Sequence, residues 1–251
     1  MTILALDTSN KTLSVAVELT NGTMIEQTIE NTLQHSVLLV PTIEAVFEEA
    51  CITAKDLTKV IVAEGPGSYT GLRIGVTVAK TLAKSLGIPL VGVSSLDVFL
   101  PDLASKVEVG EVVVPFFDAR RGNIFTVGYQ KTAAGFKKVI PEQHISWDDF
   151  LKVLPEFAMG VTFVGQLQST TKDAIVEKGA SEAKWLEGPD AIPHATSLIE
   201  LGRNKEAVDA DVFVPMYLKL AEAEENWQAE HPLEKGSVYV ERVYRTLHSV
   251  V

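Results

Sequence analysis

The sequence predicts an α/β protein built on mixed sheets, and three observations carry that prediction. Three strand-like segments run in succession before any helix, two long amphipathic segments with a strand between them follow, and the element order is loosely repeated after residue 110. Ile3-Leu4-Ala5-Leu6 is a short apolar run that fits a buried strand, and Thr12 to Leu19 alternates with Leu13, Val15 and Val17 on one face. Asn21-Gly22 marks a hairpin because both residues tolerate positive φ, and Thr23 to Ile29 completes an antiparallel meander. His35 to Ala50 then sets Leu39, Ile43, Val46, Phe47 and Ala50 on one helical face. Pro41 either opens that helix or kinks it, having no N–H to donate. Val60 to Ala63 reads as a buried strand. Thr70 to Leu86 reads as a helix with Leu72, Gly75, Val76, Ala79, Leu82, Ala83 and Leu86 toward the core, ended by Gly87 and Pro89. Leu90 to Val93 follows as a strand and Ser95 to Leu103 as a short helix.

The second set begins near Glu111. Val112 to Phe117 and Asn123 to Tyr129 form an expected hairpin around Asp118-Ala119-Arg120-Arg121-Gly122, and Phe136 to Ile140 is a third strand. Ser146 and Asp149 stand at capping-box spacing and open a helix to Leu154. Val161 to Val164 is a strand, Thr171 to Lys178 and Thr196 to Val208 are helices, and Val212 to Leu218 is extended. Two related domains are expected, at 1–105 and 106–215, with a tail at 216–251 of which part packs back on the first domain. Glu222 to Glu230 is acidic and polar, and Ser237 to Val251 fits strand and helix equally.

Composition narrows the function. At 46% hydrophobic and 22% charged, 251 residues bury a sizeable core without a disulfide or metal staple. Cys51 is the single cysteine, which excludes an intramolecular disulfide or a cysteine-cluster metal site and suits a reducing cytosol. The start lacks the basic stretch of a secretory signal, and the longest apolar runs, such as Val112 to Phe117, are too short to span a bilayer. A cytoplasmic location is expected. The net charge of −11 opposes binding to a phosphate backbone, so a role with nucleic acid requires a partner to supply the basic surface.

Three places carry candidate chemistry. Asp7, Thr8 and Ser9 end the first strand, where a carboxylate and two hydroxyls suit a metal-bound phosphate; capping and turning the chain is the plainer account. Glu64 to Gly75 is a glycine-rich loop opening onto a helix, and Gly65, Gly67, Ser68 and Thr70 join Asp7, Thr8 and Ser9 as candidate phosphate-binding residues. No Gly-Lys-Ser/Thr follows, so it is not a Walker loop, and a tight turn with close helix packing explains the glycines as well. Arg73 opposes the dipole of that helix, which points to an anionic neighbour or a partner surface. Arg120 and Arg121 on their hairpin tip are a candidate anion contact, set against a solvated turn. The five histidines, His35, His144, His194, His231 and His248, include no pair four apart, and neither His-Glu-x-x-His nor a nucleophile elbow occurs.

The block Ala63-Glu64-Gly65-Pro66-Gly67-Ser68-Tyr69-Thr70-Gly71-Leu72-Arg73-Ile74-Gly75 resembles the signature of the TsaB (YeaZ) family. Further segments stand in the family's order: Ile3 to Ser9, His35-Ser36, Leu86 to Leu90, Gly92 to Leu96, Asp118 to Gly122 and Pro215 to Leu218. The resemblance covers roughly residues 1–230, tightly in the first domain and loosely in the second. It implies an actin-like fold, shared with sugar kinases and heat-shock chaperones, of two ribonuclease H-like domains. It implies a non-catalytic scaffold of the complex that puts threonylcarbamoyl on the tRNA adenosine beside the anticodon. The implied partners are the metal-dependent catalytic paralogue TsaD and the small ATPase TsaE, with a homodimer when the chain is alone and tRNA met only through the complex. Against the paired metal-binding histidines of the catalytic subunit, His35 is followed four residues later by Leu39. The implied interface lies on helices 35–50 and 70–86, at Leu38, Leu39, Thr42, Arg73, Ile74 and Val78. No metal and no resident cofactor are expected. Asp7-Thr8-Ser9 lacks the glycine of actin-like phosphate loops and no adenosine-binding Gly-Gly follows, so ATP binding by the chain alone is expected to be weak. The alternative is an actin-like small-molecule kinase or carbamoyl transferase using Asp7 and the glycine-rich loop; nothing supplies peptidase chemistry.

Overall fold

Two five-stranded mixed sheets of the same topology organise the chain. The structure, a computed structural model, describes residues 1–30, 32–152, 160–167, 172–173, 175–176 and 183–219. Residues 1–217 form one compact unit. The first sheet contains β1 (Ile3–Asp7), β2 (Leu13–Glu18), β3 (Met24–Ile29), β4 (Lys59–Gly65) and β5 (Leu90–Ser94) in the order β3-β2-β1-β4-β5. The second contains β6 (Val112–Asp118), β7 (Asn123–Thr132), β8 (Gly135–Ser146), β9 (Val161–Val164) and β10 (Lys184–Leu186) in the order β10-β9-β6-β7-β8. In each, three antiparallel strands are followed by two parallel ones, so the repeated element order in the sequence is a real duplication of architecture. This is the expected actin-like α/β fold class.

Alternation along β1, β2 and β4 builds the first core. Leu4, Leu6, Val15, Val17, Val60 and Val62 share one face and meet α1 (His35–Ala50) and α2 (Tyr69–Leu86). From α1 come Leu39, Ile43 and Val46, and from α2 Val76, Ala79 and Ala83. Each fully buried Leu, Ile or Val contributes about 1.5–3 kcal/mol before entropy is charged against it. α1 continues unbroken past Pro41, which falls on its exposed side, so the Val37 carbonyl loses its usual donor where water reaches it. Gly87 ends α2 in the left-handed conformation, as the sequence predicts.

Several elements depart from expectation. The segment after β5 is a 3-10 turn at Asp97–Phe99 running into the short helix α3 (Leu100–Leu103). β8 continues to Ser146, because its pairing with β7 resumes past Ile140 and runs to Asn123 opposite Ser146. Ser146 then caps α4 (Trp147–Phe150), its hydroxyl accepting from the Asp149 N–H at 3.1 Å and lying 2.8 Å from the Asp149 carboxylate. The expected end of that helix, half of the helix at 171–178, and everything from residue 220 onward lie outside the described residues. β10 is three residues long and has no periodicity to betray it. The last helix, α5 (Ala195–Gly202), stops six residues early: Asn204, Lys205 and Glu206 break the apolar spacing, and the Val208 N–H pairs instead with the Leu90 carbonyl at 2.8 Å.

α5 returns to the first sheet, on the face opposite α1 and α2. A Cβ at Gly202 would sit 2.8 Å from Ile61 and 3.1 Å from Val93. Its N-terminus is received by β2 and β3: the Ala195 N–H donates to Ser14 Oγ at 2.9 Å and the Thr196 N–H to Glu26 Oε1 at 3.0 Å. The second sheet has its own aromatic core, in which Phe163 stacks on Trp185 at 4.5 Å and Phe116 and Trp147 meet edge to face at 5.2 Å.

Candidate functional site

The Asp7–Ser9 turn and the glycine-rich loop, 60 residues apart in sequence, are brought into direct contact. The parallel pairing of β1 with β4 ends both strands at the same edge, which delivers the turn to the start of α2. The Ser68 N–H donates to the Ser9 carbonyl at 2.6 Å, and Thr8 Oγ1 donates to the Gly71 carbonyl at 2.7 Å. A Cβ at Gly67 would lie 2.1 Å from the Ser9 oxygen, one at Gly71 2.1 Å from the Thr8 oxygen, and one at Gly75 2.3 Å from Thr8 Oγ1. These glycines permit backbone to touch backbone. Ser68 caps α2, its hydroxyl accepting from the Gly71 N–H at 3.3 Å. The N–H groups of Ser68 and Gly71 are therefore already engaged within the chain.

Asp7, Thr8 and Ser9 are buried. The Ser9 N–H donates to Asp7 Oδ1 at 2.8 Å, while Asp7 Oδ2 is buried without a hydrogen-bond partner. Burial pushes the Asp7 carboxyl up to about 6, against the Ser9 hydrogen bonds. Thr70 is exposed and faces the groove described below. His35, buried at the start of α1, is held below the usual imidazole range by burial, against hydrogen bonding to the backbone of Thr12 and Asn10. Leu39, at the position that would complete a histidine pair, is 1% exposed in the core. Among the described residues no cluster of three or more histidines, cysteines or carboxylates is placed to hold a metal ion.

The outer surface of α1 and α2 is unusually apolar. Leu33 is 82%, Val37 66% and Val40 50% exposed. Leu38, Ile74 and Val78 are half-buried beside them. Leu39 and Thr42, expected on the interface, turn inward; Thr42 Oγ1 is bonded to the Leu38 carbonyl at 2.8 Å. Leu33, just before α1, and Val37 and Val40 on it are exposed apolar side chains that the sequence reading did not single out; the signal for the last two is their place on α1 off the core stripe. An open groove of about 460 Å³ runs between the helices, lined by Ser36, Tyr69, Thr70, Arg73, Ile74, Thr77 and Val78. Arg73 lies over Tyr69, its guanidinium 5.2 Å from the ring centroid and Nη1 3.0 Å from the hydroxyl. Tyr69 in turn packs on Tyr217 at 4.9 Å.

Arg120 and Arg121 are exposed on the β6–β7 tip, both at positive φ of 67° and 54°. The Asp118 carboxylate accepts from the Arg120 N–H at 2.8 Å, and Asn123 Nδ2 donates to both arginine carbonyls. The tip is far in sequence and sheet from the α1–α2 surface. A further polar cluster went unpredicted because its members are widely spaced: Ser94 donates to Glu142 at 2.6 Å and Tyr129 bonds Asp97, tying β5 and its following turn to β7 and β8. Burial, together with the neighbouring carboxylates, raises Glu64 and Asp97 above the usual range.

A five-stranded mixed sheet of one topology built twice, with an apolar face left exposed on the helix pair of the first half, defines the class as actin-like α/β. Residues 26–227 match the family model for TsaD, tRNA N6-adenosine threonylcarbamoyltransferase. The chain belongs to the TsaB (YeaZ) family: it is 39% identical over 227 residues to the tRNA threonylcarbamoyladenosine biosynthesis protein TsaB of Bacillus subtilis, covering 90% of this chain and 98% of that one. It is 27% identical over 237 residues to TsaB of Haemophilus influenzae, covering 87% of this chain and 94% of the relative. Among solved structures, YeaZ from Pseudomonas aeruginosa superposes with a TM-score of 0.70 at 27% identity, covering 86% of this chain and 99% of that one. Among the described residues no helix is long and apolar enough to cross a membrane.

Proposed function

We propose that this chain is the non-catalytic scaffold subunit of the complex that installs threonylcarbamoyl on the tRNA adenosine beside the anticodon. It acts in the cytoplasm, binding and positioning the catalytic paralogue TsaD through the outer face of α1 and α2, with the ATPase TsaE joining the assembly. The observation that carries this reading is the exposed apolar row Leu33, Val37 and Val40 beside half-buried Leu38, Ile74 and Val78, in a chain of the TsaB family. An apolar stripe beyond the core face of a helix is covered by a partner or costs solubility. The same face pairs two copies when the paralogue is absent. With a net charge of −11, the chain leaves tRNA contact to its partners. Leu39 in the core supports a non-catalytic role, since it stands where a second ligand would be needed. The closed contact between the Asp7–Ser9 turn and the loop supports weak or absent ATP binding by the chain alone.

The test is Val37→Arg, at a position exposed enough that the fold tolerates it. Co-purification with TsaD is expected to fall at least about tenfold, because an unpaired charge is buried in the new interface. Circular dichroism checks that the variant is folded. Unchanged co-purification by a folded variant overturns the assignment of this face.

A further inference from the structure

Each sheet has a core of its own, so what joins the two sheets is a structure apart from either core. The chain passes from the first sheet to the second between α3 and β6, and returns between β10 and α5. These two crossings are clipped together. Lys106 Nζ lies 2.6 Å from Asp190 Oδ1, and Lys184 Nζ, at the start of β10, donates to the Lys106 carbonyl at 3.3 Å. Phe99, in the turn after β5, packs on Phe117 of β6 with ring centroids 5.8 Å apart. β7 and β8 are tied to the first sheet by hydrogen bonds: Ser94 Oγ donates to Glu142 Oε1 at 2.6 Å, and the Tyr129 hydroxyl donates to the Asp97 carboxylate.

Charge is concentrated around those two bonds. Glu64, on β4, lies over Gly92 of β5, where a Cβ would collide with its Oε2. Glu64, Asp97 and Glu142 repel one another across the joint. The cations acting on them are Lys138 on β8, 3.5 Å from Glu142 Oε1, and Lys205 just past α5. Three carboxylates thus face two ammonium groups, and the cluster is neutral only when it holds one proton. Burial, reinforced by the neighbouring carboxylates, holds Asp97 and Glu64 above the usual carboxylate range. The joint is therefore held by two hydrogen bonds and loaded by like charges.

We propose that the Ser94–Glu142 and Tyr129–Asp97 bonds form a charge-loaded latch between the two sheets, closed when the cluster holds a proton and loosened when all three carboxylates are ionised, with the clipped crossings as its hinge. A carboxyl raised in the closed joint takes its proton more readily there than in an open one, where water restores values of about 3.9 for Asp and about 4.3 for Glu. Closure is complete below those ordinary values and weakens as pH rises through the raised ones. α1 and α2 share the core of the first sheet and stay with it, so the second sheet is the part that shifts.

The experiment is a distance measurement by pulsed electron paramagnetic resonance on the full chain. One nitroxide is placed on Cys51, the single cysteine, exposed just after α1, and the other on Lys137→Cys, exposed on β8. The labelled protein is diluted into unlabelled protein so that only distances within one chain are read, and circular dichroism checks the fold of each variant. The labelled chain is expected to give one narrow distance at pH 5.5 and a distribution about twofold broader at pH 8. Asp97→Asn, whose amide still accepts from Tyr129 but carries no charge, is expected to keep the narrow distance at pH 8. Glu142→Gln also removes one charge while keeping an acceptor for Ser94, so it is expected to do the same and stands in if Asp97→Asn fails to fold. Tyr129→Phe leaves the Asp97 carboxyl without its donor and is expected to be broad at pH 5.5 as well. A distribution in the labelled parent that does not change with pH overturns the latch. So does a neutralised variant as broad as the parent at pH 8, or a Tyr129→Phe chain as narrow as the parent at pH 5.5.

Discussion

Gly75 offers the sharpest test of how the glycine-rich block works. By helix propensity alone, Gly75→Ala in the interior of α2 should stabilise the protein by about 1 kcal/mol. The tertiary structure predicts the reverse. The new methyl would lie 2.3 Å from Thr8 Oγ1, far inside contact distance. Thr8 is buried, and that oxygen is bonded to the Gly71 carbonyl at 2.7 Å. Relieving the clash means turning the hydroxyl away and breaking the bond, or shifting the turn against the loop. Overpacking costs about 1–3 kcal/mol and a buried hydroxyl left unpaired costs about as much again. Offset by the propensity gain, Gly75→Ala should destabilise by about 1–5 kcal/mol. Thr8→Ala removes the offending oxygen, and the next Thr8 atom, Cβ, is at an ordinary 3.5 Å. In that background Gly75→Ala should become neutral or stabilising by up to about 1 kcal/mol, giving a coupling of about 1 kcal/mol or more in the double-mutant cycle. Urea unfolding followed by circular dichroism measures all four proteins. A higher midpoint for Gly75→Ala alone, or additive effects of the two substitutions, refutes the packing account.

Asp7 has its carboxyl raised to about 6 by burial, so folding favours the protonated acid and stability declines as pH climbs from about 4 through 6. Asp7→Asn, keeping an oxygen for the Ser9 N–H, should gain up to about 3 kcal/mol at pH 8 and little at pH 4, at 1.36 kcal/mol per unit; a variant destabilised equally at both would contradict this. His194 and Glu26, 2.8 Å apart, give the opposite kind of profile. The hydrogen bond to Glu26 raises the imidazole despite burial; burial works to raise Glu26, but bonds from His194, Thr196 and Ser14 outweigh it and hold it low. The raised histidine contributes below its unfolded value near 6.5, and the lowered glutamate above its unfolded value near 4.3, so the pair's stabilisation is full between them and fades on both sides. His194→Gln should flatten the stability profile above pH 6.5, and an unchanged slope there refutes the linkage. Ser68→Ala should cost about 1 kcal/mol through the lost α2 cap, read as a lower urea midpoint. Calorimetric titration of the isolated chain with magnesium-ATP should show little heat; micromolar binding abolished by Asp7→Ala would favour the kinase alternative.

Much of the fold was open to reading because its signals are local. The alternation of Leu13, Val15 and Val17, the Asn21-Gly22 turn, the apolar stripe of α1 and the Gly87 stop each lie within a few residues, and each depends on backbone geometry alone. Even the duplication was visible as element order without shared residues. The acidic charge and the lone cysteine likewise excluded whole classes of chemistry without coordinates. What the tertiary structure alone decided concerns pairs distant in sequence. That Asp7–Ser9 and Gly65–Gly75 meet at all is unreadable until β1 and β4 are laid side by side and Ser68 is found bonded to Ser9. α5 belongs to the first sheet although the chain reaches it only after the second, because Gly202 admits Ile61 and Val93 and β2 and β3 satisfy its N-terminus. Helical spacing marked one apolar stripe on α1, but only packing distinguished Leu39 and Thr42, turned into the core, from Val37 and Val40, left in water: periodicity gives the angle between rows, and it takes the rest of the molecule to say which of them is covered.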